Sequence, residues 1–234
     1  DLDWDLWLGP REPRPYHPAY FPVRWRDFWT FGLGPIGDFV CHDLDVACWA
    51  LDLHDPLTVE AFSAGKTHPE MTGHGEVCHY QYGQRGDRPP VQVTWYDGGI
   101  RPRTPEGWPA GEPLPNRGIL FVGDKGVMIC PGAVGISPRL LPDALMLDYS
   151  PPAPSLTRSP GHHREWIDAI KGGRPAASHF GYSARLTELA LLGVLALRLE
   201  KKIVWNAAEM RVEGAPEADA IIRTPYRSGW KLDE

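Results

Sequence analysis

With 234 residues, 42% hydrophobic content and 10 Trp, the chain can bury a substantial core and reads as a folded, soluble protein. Its net charge of -6, with no run of Lys or Arg, excludes nucleic acid and anionic membranes as main partners. The four cysteines, Cys41, Cys48, Cys78 and Cys130, show neither C-x-x-C spacing nor a dense disulfide pattern. They read as reduced small hydrophobes of a cytoplasmic protein, with no structural zinc. The longest strongly apolar run, Leu189 to Leu197, is far shorter than the ~20 residues of a membrane span. The opening Asp-Leu-Asp-Trp has no signal-like core.

In chain order, residues 1–35 are rich in Trp, Pro, Tyr and Arg and read as an irregular arm packed on something else. From Asp38 to about Leu53 the apolar positions Phe39, Val40, Leu44, Ala47, Cys48 and Leu51 recur near the helical period, which predicts one helix. Short β-branched and aromatic runs follow at 58–62, 77–82, 91–96, 119–122 and 127–130. Gly123-Asp124-Lys125-Gly126 joins the last two as a hairpin turn, and the lack of intervening helices predicts antiparallel neighbours in one meander. A Pro-rich segment, 138–160, leads to a helix from His162 to Lys171, stopped by Gly172-Gly173, and to a second, nearly all-apolar helix from Ser183 to Lys201. The expected fold is α+β: one domain over 1–234, an open, mostly antiparallel sheet with helices packed on one face. It divides into an arm (1–35), a first helix and sheet (36–137), and a Pro-rich linker with two helices and a tail (138–234).

Two features near the first helix carry the chemistry. Asp38 and His42 stand four apart, so a helix puts both on one face, where a carboxylate and an imidazole can meet one substrate hydroxyl. The same spacing also arises when a first-turn Asp complements the helix dipole and the His merely packs nearby. Gly32-Leu33-Gly34-Pro35-Ile36-Gly37 matches the G-x-G-x-x-G pattern of dinucleotide sites, yet 25–31 is aromatic and charged rather than a buried strand. Pro35 also removes an N–H that a phosphate cradle would need. These glycines are therefore not assigned to a nucleotide. Histidines 17, 42, 74, 79, 162 and 163, with Glu76, Asp38 and Asp45, could supply metal ligands, but none has a spacing such as H-E-x-x-H and no metal site is assigned.

A set of motifs in order along the chain resembles one family. They are Trp4 to Pro10, Tyr16-His17-Pro18-Ala19-Tyr20, Trp25-Arg26, Gly37-Asp38 with Cys41-His42, Leu53, Thr94 to Gly99, Gly123 to Gly126, Ser137 to Pro142, His162 to Trp166, and Tyr226-Arg227-Ser228-Gly229-Trp230. Together they resemble the C-terminal domain of the glucose-fructose oxidoreductase / inositol dehydrogenase (Gfo/Idh/MocA) family, from Leu2 to Leu232. The resemblance implies a sheet domain that supplies a sugar or polyol pocket and homo-oligomerises through its sheet face. It implies His42 as acid/base on the substrate hydroxyl, Asp38 as its orienting partner, and Tyr16, His17, Arg26 and His163 as candidate substrate contacts.

The family's Rossmann domain and its Glu-Lys-Pro segment have no counterpart in this sequence, so the chain alone is expected to bind neither NAD nor NADP. Hydride transfer needs such a carrier, since side chains cannot reversibly accept hydride. Three roles remain open: the substrate domain of an oxidoreductase, working with a separate Rossmann-domain partner where one exists; a free-standing isomerase or lyase using acid/base chemistry on a keto-sugar, with or without a divalent metal; and a non-catalytic assembly domain.

Overall fold

The computed structural model of the chain describes residues 1–65 and 68–231. The chain divides into two compact units: Asp1–Val40, Asp55–Arg101 and Leu189–Glu234 form the first, and Cys41–His54 with Pro102–Glu188 the second. The fold is α+β, with an open antiparallel sheet and helices, as the sequence predicts.

The first unit is built on five antiparallel strands, β1 (Thr58–Ser63), β2 (Glu76–Tyr82), β3 (Val91–Tyr96), and the later β7 (Ile203–Asn206) and β8 (Arg211–Val212), in the order β3-β2-β1-β7-β8. Side chains alternate across a pleated sheet. Val59 and Ala61 of β1, Cys78, Tyr80 and Tyr82 of β2, and Trp95 of β3 are buried on one face. Thr58, Glu60, Phe62, His79, Gln81, Gln92 and Thr94 alternate with them, and the register pairs Glu60 with His79 and His79 with Thr94. Trp95 is 7% exposed and stands on the covered side, with Val93 on the same face of β3, so this face is not the one left for self-association.

The arm is more regular than its composition suggests. It contains a short helix, α1 (Trp4–Leu8), capped by the Asp3 side chain on the Leu6 N–H. The aromatic rings form a core of their own: Trp4 stacks on Trp7 at 4.7 Å, Trp7 meets Phe31 at 4.6 Å and Tyr20 meets Phe28 at 4.8 Å. From the other end of the chain, Arg227 Nε donates to the Gly9 carbonyl at 2.7 Å.

The single helix expected from Asp38 to Leu53 is two helices, α2 (Gly34–Asp43) and α3 (Asp45–Leu51), separated at Leu44. Asp45 in the first turn of α3 is where a helix start favours an acid, and Asp52 in the left-handed region closes that helix. In the second unit β4 (Gly118–Gly123), β5 (Gly126–Pro131) and β6 (Arg139–Leu141) form a separate antiparallel sheet. The expected hairpin is there, but it does not extend the first sheet. Between β3 and β4 the chain carries Pro102, Pro105, Pro109, Pro113 and Pro115, whose missing N–H groups suit neither a tight turn between paired strands nor a strand.

α4 (His162–Ile170) lies where predicted. α5 (Phe180–Leu199) is longer than predicted, and its 20 residues are long and apolar enough to cross a membrane by length and composition. Its second half behaves as a core helix instead. Leu189, Ala190, Leu192, Val194, Leu195, Ala196 and Leu197 are buried, and the Tyr80 hydroxyl donates to the Leu189 carbonyl at 3.0 Å. A Cβ at Gly193 would stand 2.5 Å from that hydroxyl, so only glycine lets helix and sheet approach this closely. α6 (Asp219–Ile222) is a single turn near the C-terminus.

Candidate functional site

α2 carries both Asp38 and His42. Its two glycines, Gly34 and Gly37, and Gly32 just ahead of it act as packing points. A Cβ at Gly32 would meet the Arg26 Cα at 2.3 Å, one at Gly34 would meet Thr72 Cγ2 at 2.2 Å, and one at Gly37 would meet Leu33 Cβ at 2.4 Å. The segment ahead of them is a 3-10 turn, Arg24–Asp27, and an isolated bridge from Phe28 to Met71. The glycine spacing thus has a local cause, the close approach of the Arg26 backbone and of the Thr72 and Leu33 side chains, rather than a strand-loop-helix phosphate cradle.

Asp38 is half-buried and accepts from Arg26 Nε at 3.2 Å. Arg26 in turn lies over the Trp25 ring, 4.7 Å from its centroid, which fixes the guanidinium without consuming all of its donors. The two side chains are 34% and 41% exposed, so solvent screens the pair and its contribution to stability is about 0–1 kcal/mol. An ion pair of that strength can exchange a partner for a ligand hydroxyl at small cost.

Near this pair in sequence, His17 caps the 3-10 turn Pro18–Tyr20 with its Nδ1, which accepts the Ala19 N–H at 3.1 Å. That assigns the ring proton of a neutral His17 to Nε2. Tyr16 is 52% exposed and meets Trp4 edge-on at 5.2 Å. Tyr16, His17, Arg26 and Asp38 all belong to the first unit.

In the second unit His42 is exposed, and so is His163, whose ring lies 4.0 Å from that of His162 at the start of α4. Two polar pairs that the sequence did not single out flank His42 along the chain. Asp43 accepts from Arg117 Nε at 2.7 Å, and Asp45 accepts from the Tyr182 hydroxyl at 2.5 Å. Burial and the Asp45 carboxylate raise the pKa of Tyr182, which keeps it a hydrogen-bond donor. Cys48 and Cys78 have thiols pushed up to about 12, mainly by burial, in keeping with the reading of the cysteines as small hydrophobes. All four cysteines are free. Among the described residues no group of three or more His, Cys, Asp or Glu side chains is placed to hold a metal.

Sequence reasoning also passed over the environment of Glu76, which is fully buried at the start of β2. Its backbone N–H donates to Asp97 Oδ1 at 2.7 Å, its Oε1 accepts from the Thr72 hydroxyl, and the Ile36 N–H in the first turn of α2 also donates to its carboxyl. The signal lay in Asp97-Gly98-Gly99: a Cβ at Gly98 would stand 2.2 Å from the Gly75 nitrogen.

Residues 1–87 match the model of the Gfo/Idh/MocA oxidoreductase family, described as "Oxidoreductase family, C-terminal alpha/beta domain". The match covers the arm, α2, α3, β1 and β2 and ends before β3. Two solved structures are similar. One is an oxidoreductase from Agrobacterium radiobacter in complex with NAD+, L-tartaric acid and magnesium, at 15% identity and a TM-score of 0.38, over 69% of this chain and 46% of that one. The other is a protein from Thermotoga maritima assigned as an oxidoreductase, at 16% identity and a TM-score of 0.34, over 75% of this chain and 46% of that one. The matched region spans less than half the length of either. No curated protein matches.

Proposed function

We propose that this chain forms the substrate domain of a Gfo/Idh/MocA-type oxidoreductase and binds a sugar or polyol at the Asp38 face of α2. The observation that supports this most is the half-exposed Arg26–Asp38 pair, which lies wholly within the residues that match the family model. Vicinal hydroxyls both donate and accept, and a carboxylate beside a guanidinium offers one group for each role. His42, one turn along α2, is the acid/base: imidazole is the side chain whose charge changes nearest neutrality, so it can take the hydroxyl proton as a carbonyl forms and return it in the reverse direction. Tyr16, His17 and His163 are the further contacts of this reading.

Oxidation of the substrate carbon requires a hydride acceptor, supplied in the family by NAD or NADP bound outside these residues, and the chain's own part is to orient the hydroxyl and move its proton. Self-association belongs to the same reading. It would use the open face of the five-stranded sheet, where Phe62 and Val204 are 53% and 42% exposed among polar neighbours.

Calorimetric titration of the protein with myo-inositol, D-glucose and D-fructose tests the proposal. Saturable binding of at least one is expected, and its absence for all three in the millimolar range overturns the sugar-site reading. Light scattering checks self-association: a dimer or larger is expected at micromolar concentration, and a clean monomer removes that part.

A further inference from the structure

Glu76 and Asp97 meet where β2 begins and β3 ends, one position beyond the Val77–Tyr96 pair. Both oxygens of Asp97 are taken by N–H donors, Oδ1 by the Glu76 backbone and Oδ2 by the Trp95 indole at 2.7 Å. Glu76 has no such set. Its Oε1 accepts from Thr72, and its Oε2 is buried with no hydrogen-bond partner. Among the described residues the groups facing it are Asp97 after β3, Cys78 on β2, the Thr72 hydroxyl before β2 and the Ile36 N–H of α2, and none of these is a cation.

We infer that Glu76 carries a proton at neutral pH at the joint between β2 and the first turn of α2, so that the fold loses stability when this proton leaves.

Competing effects decide the protonation state. Thr72 and the Ile36 N–H favour the anion, as does the α2 dipole, which is worth about 0.3–1 kcal/mol at a helix start. Burial opposes them, and the Asp97 carboxylate adds to it; an uncompensated carboxylate in a dry site is the costlier alternative, and Glu76 is pushed up to about 8. The residues on either side of Glu76 are closely packed: an added Cβ at Gly34 would meet Thr72 Cγ2, and one at Gly98 the Gly75 nitrogen, each at 2.2 Å.

The sign follows from linkage. The folded-state pKa of this acid is raised above its ordinary value of 4.5, so the stabilisation is complete below that value, declines as pH rises towards about 8, and levels off above it.

The test is thermal unfolding of wild type and Glu76→Gln, which keeps the shape and removes the charge. From about pH 5 to about pH 9 the melting temperature of wild type should fall by roughly 5 °C or more relative to the variant. Parallel curves overturn the inference. Should Glu76→Gln not fold, carbon NMR titration of glutamate carboxyls in wild type decides: one glutamate with a midpoint near pH 8 is expected, and midpoints all below about pH 6 overturn it.

Discussion

Glu76 and Asp38 are both acids in contact with α2 or carried on it, yet the fold treats them in opposite ways. Glu76 is sealed beneath the first turn, 0% exposed, beside a second carboxyl and, among the described residues, with no cation facing it. Asp38 lies one turn along, half-exposed and matched to Arg26. An acid that must be neutral to stay buried serves stability, whereas an acid at the surface beside a weakly bound cation is free to serve a ligand. The difference comes from surroundings alone, since the two side chains carry the same functional group.

That contrast can be broken at several points. The largest effect belongs to the exposed side: His42→Ala should lower turnover by about 10²–10⁴-fold, read as NAD(P)H absorbance with polyol and the nucleotide-binding partner supplied, while the unfolding free energy shifts by less than about 0.5 kcal/mol. A large loss of stability with little loss of rate would instead make His42 a packing residue. On the buried side, Gly98→Ala should cost roughly 2–4 kcal/mol in urea unfolding, because the new Cβ meets the Gly75 nitrogen and the backbone sits at φ +59. A cost below about 1 kcal/mol would show that the β2–β3 end can relax, and the sealed site around Glu76 with it. Tyr80→Phe should cost about 1 kcal/mol, the value of its hydrogen bond to the Leu189 carbonyl. Smallest is Arg26→Ala, expected to change stability by no more than about 1 kcal/mol by the same measurement.

Much of this arrangement was legible in the sequence, and the reasons differ by element. Hydrophobic periodicity located α4 and the core of α5, and β-branched runs located β1 to β5, because those signals are local. It did not show that β4 and β5 leave the first sheet, since pairing is a long-range choice and the only local trace was the proline-rich stretch before β4. β7 and β8 were missed for the same reason: four residues, Ile203 to Asn206, are too few to stand out without the β1 edge they complete. The split between α2 and α3 at Leu44 was hidden by an apolar pattern that continues through it. At the candidate site, the Asp38–His42 spacing and Arg26 were visible as residues, but the Arg26–Asp38 pairing was not, because the 3-10 turn that delivers Arg26 has no periodic signature. Glu76 stood in view only as one of several possible metal ligands. Its burial beside Asp97 is a property of the folded state and has no trace in composition.

Calorimetric comparison of Asp38→Asn with Asp43→Asn, each titrated with whichever of myo-inositol, D-glucose or D-fructose binds wild type, tests the central claim most directly. Asp43 is the control, an acid on the same helix already engaged by Arg117 at 2.7 Å. The account predicts that Asp38→Asn weakens binding at least tenfold, about 1.4 kcal/mol, while Asp43→Asn stays within twofold of wild type. Equal affinities for wild type and Asp38→Asn would contradict it and move the substrate site away from the Arg26–Asp38 pair.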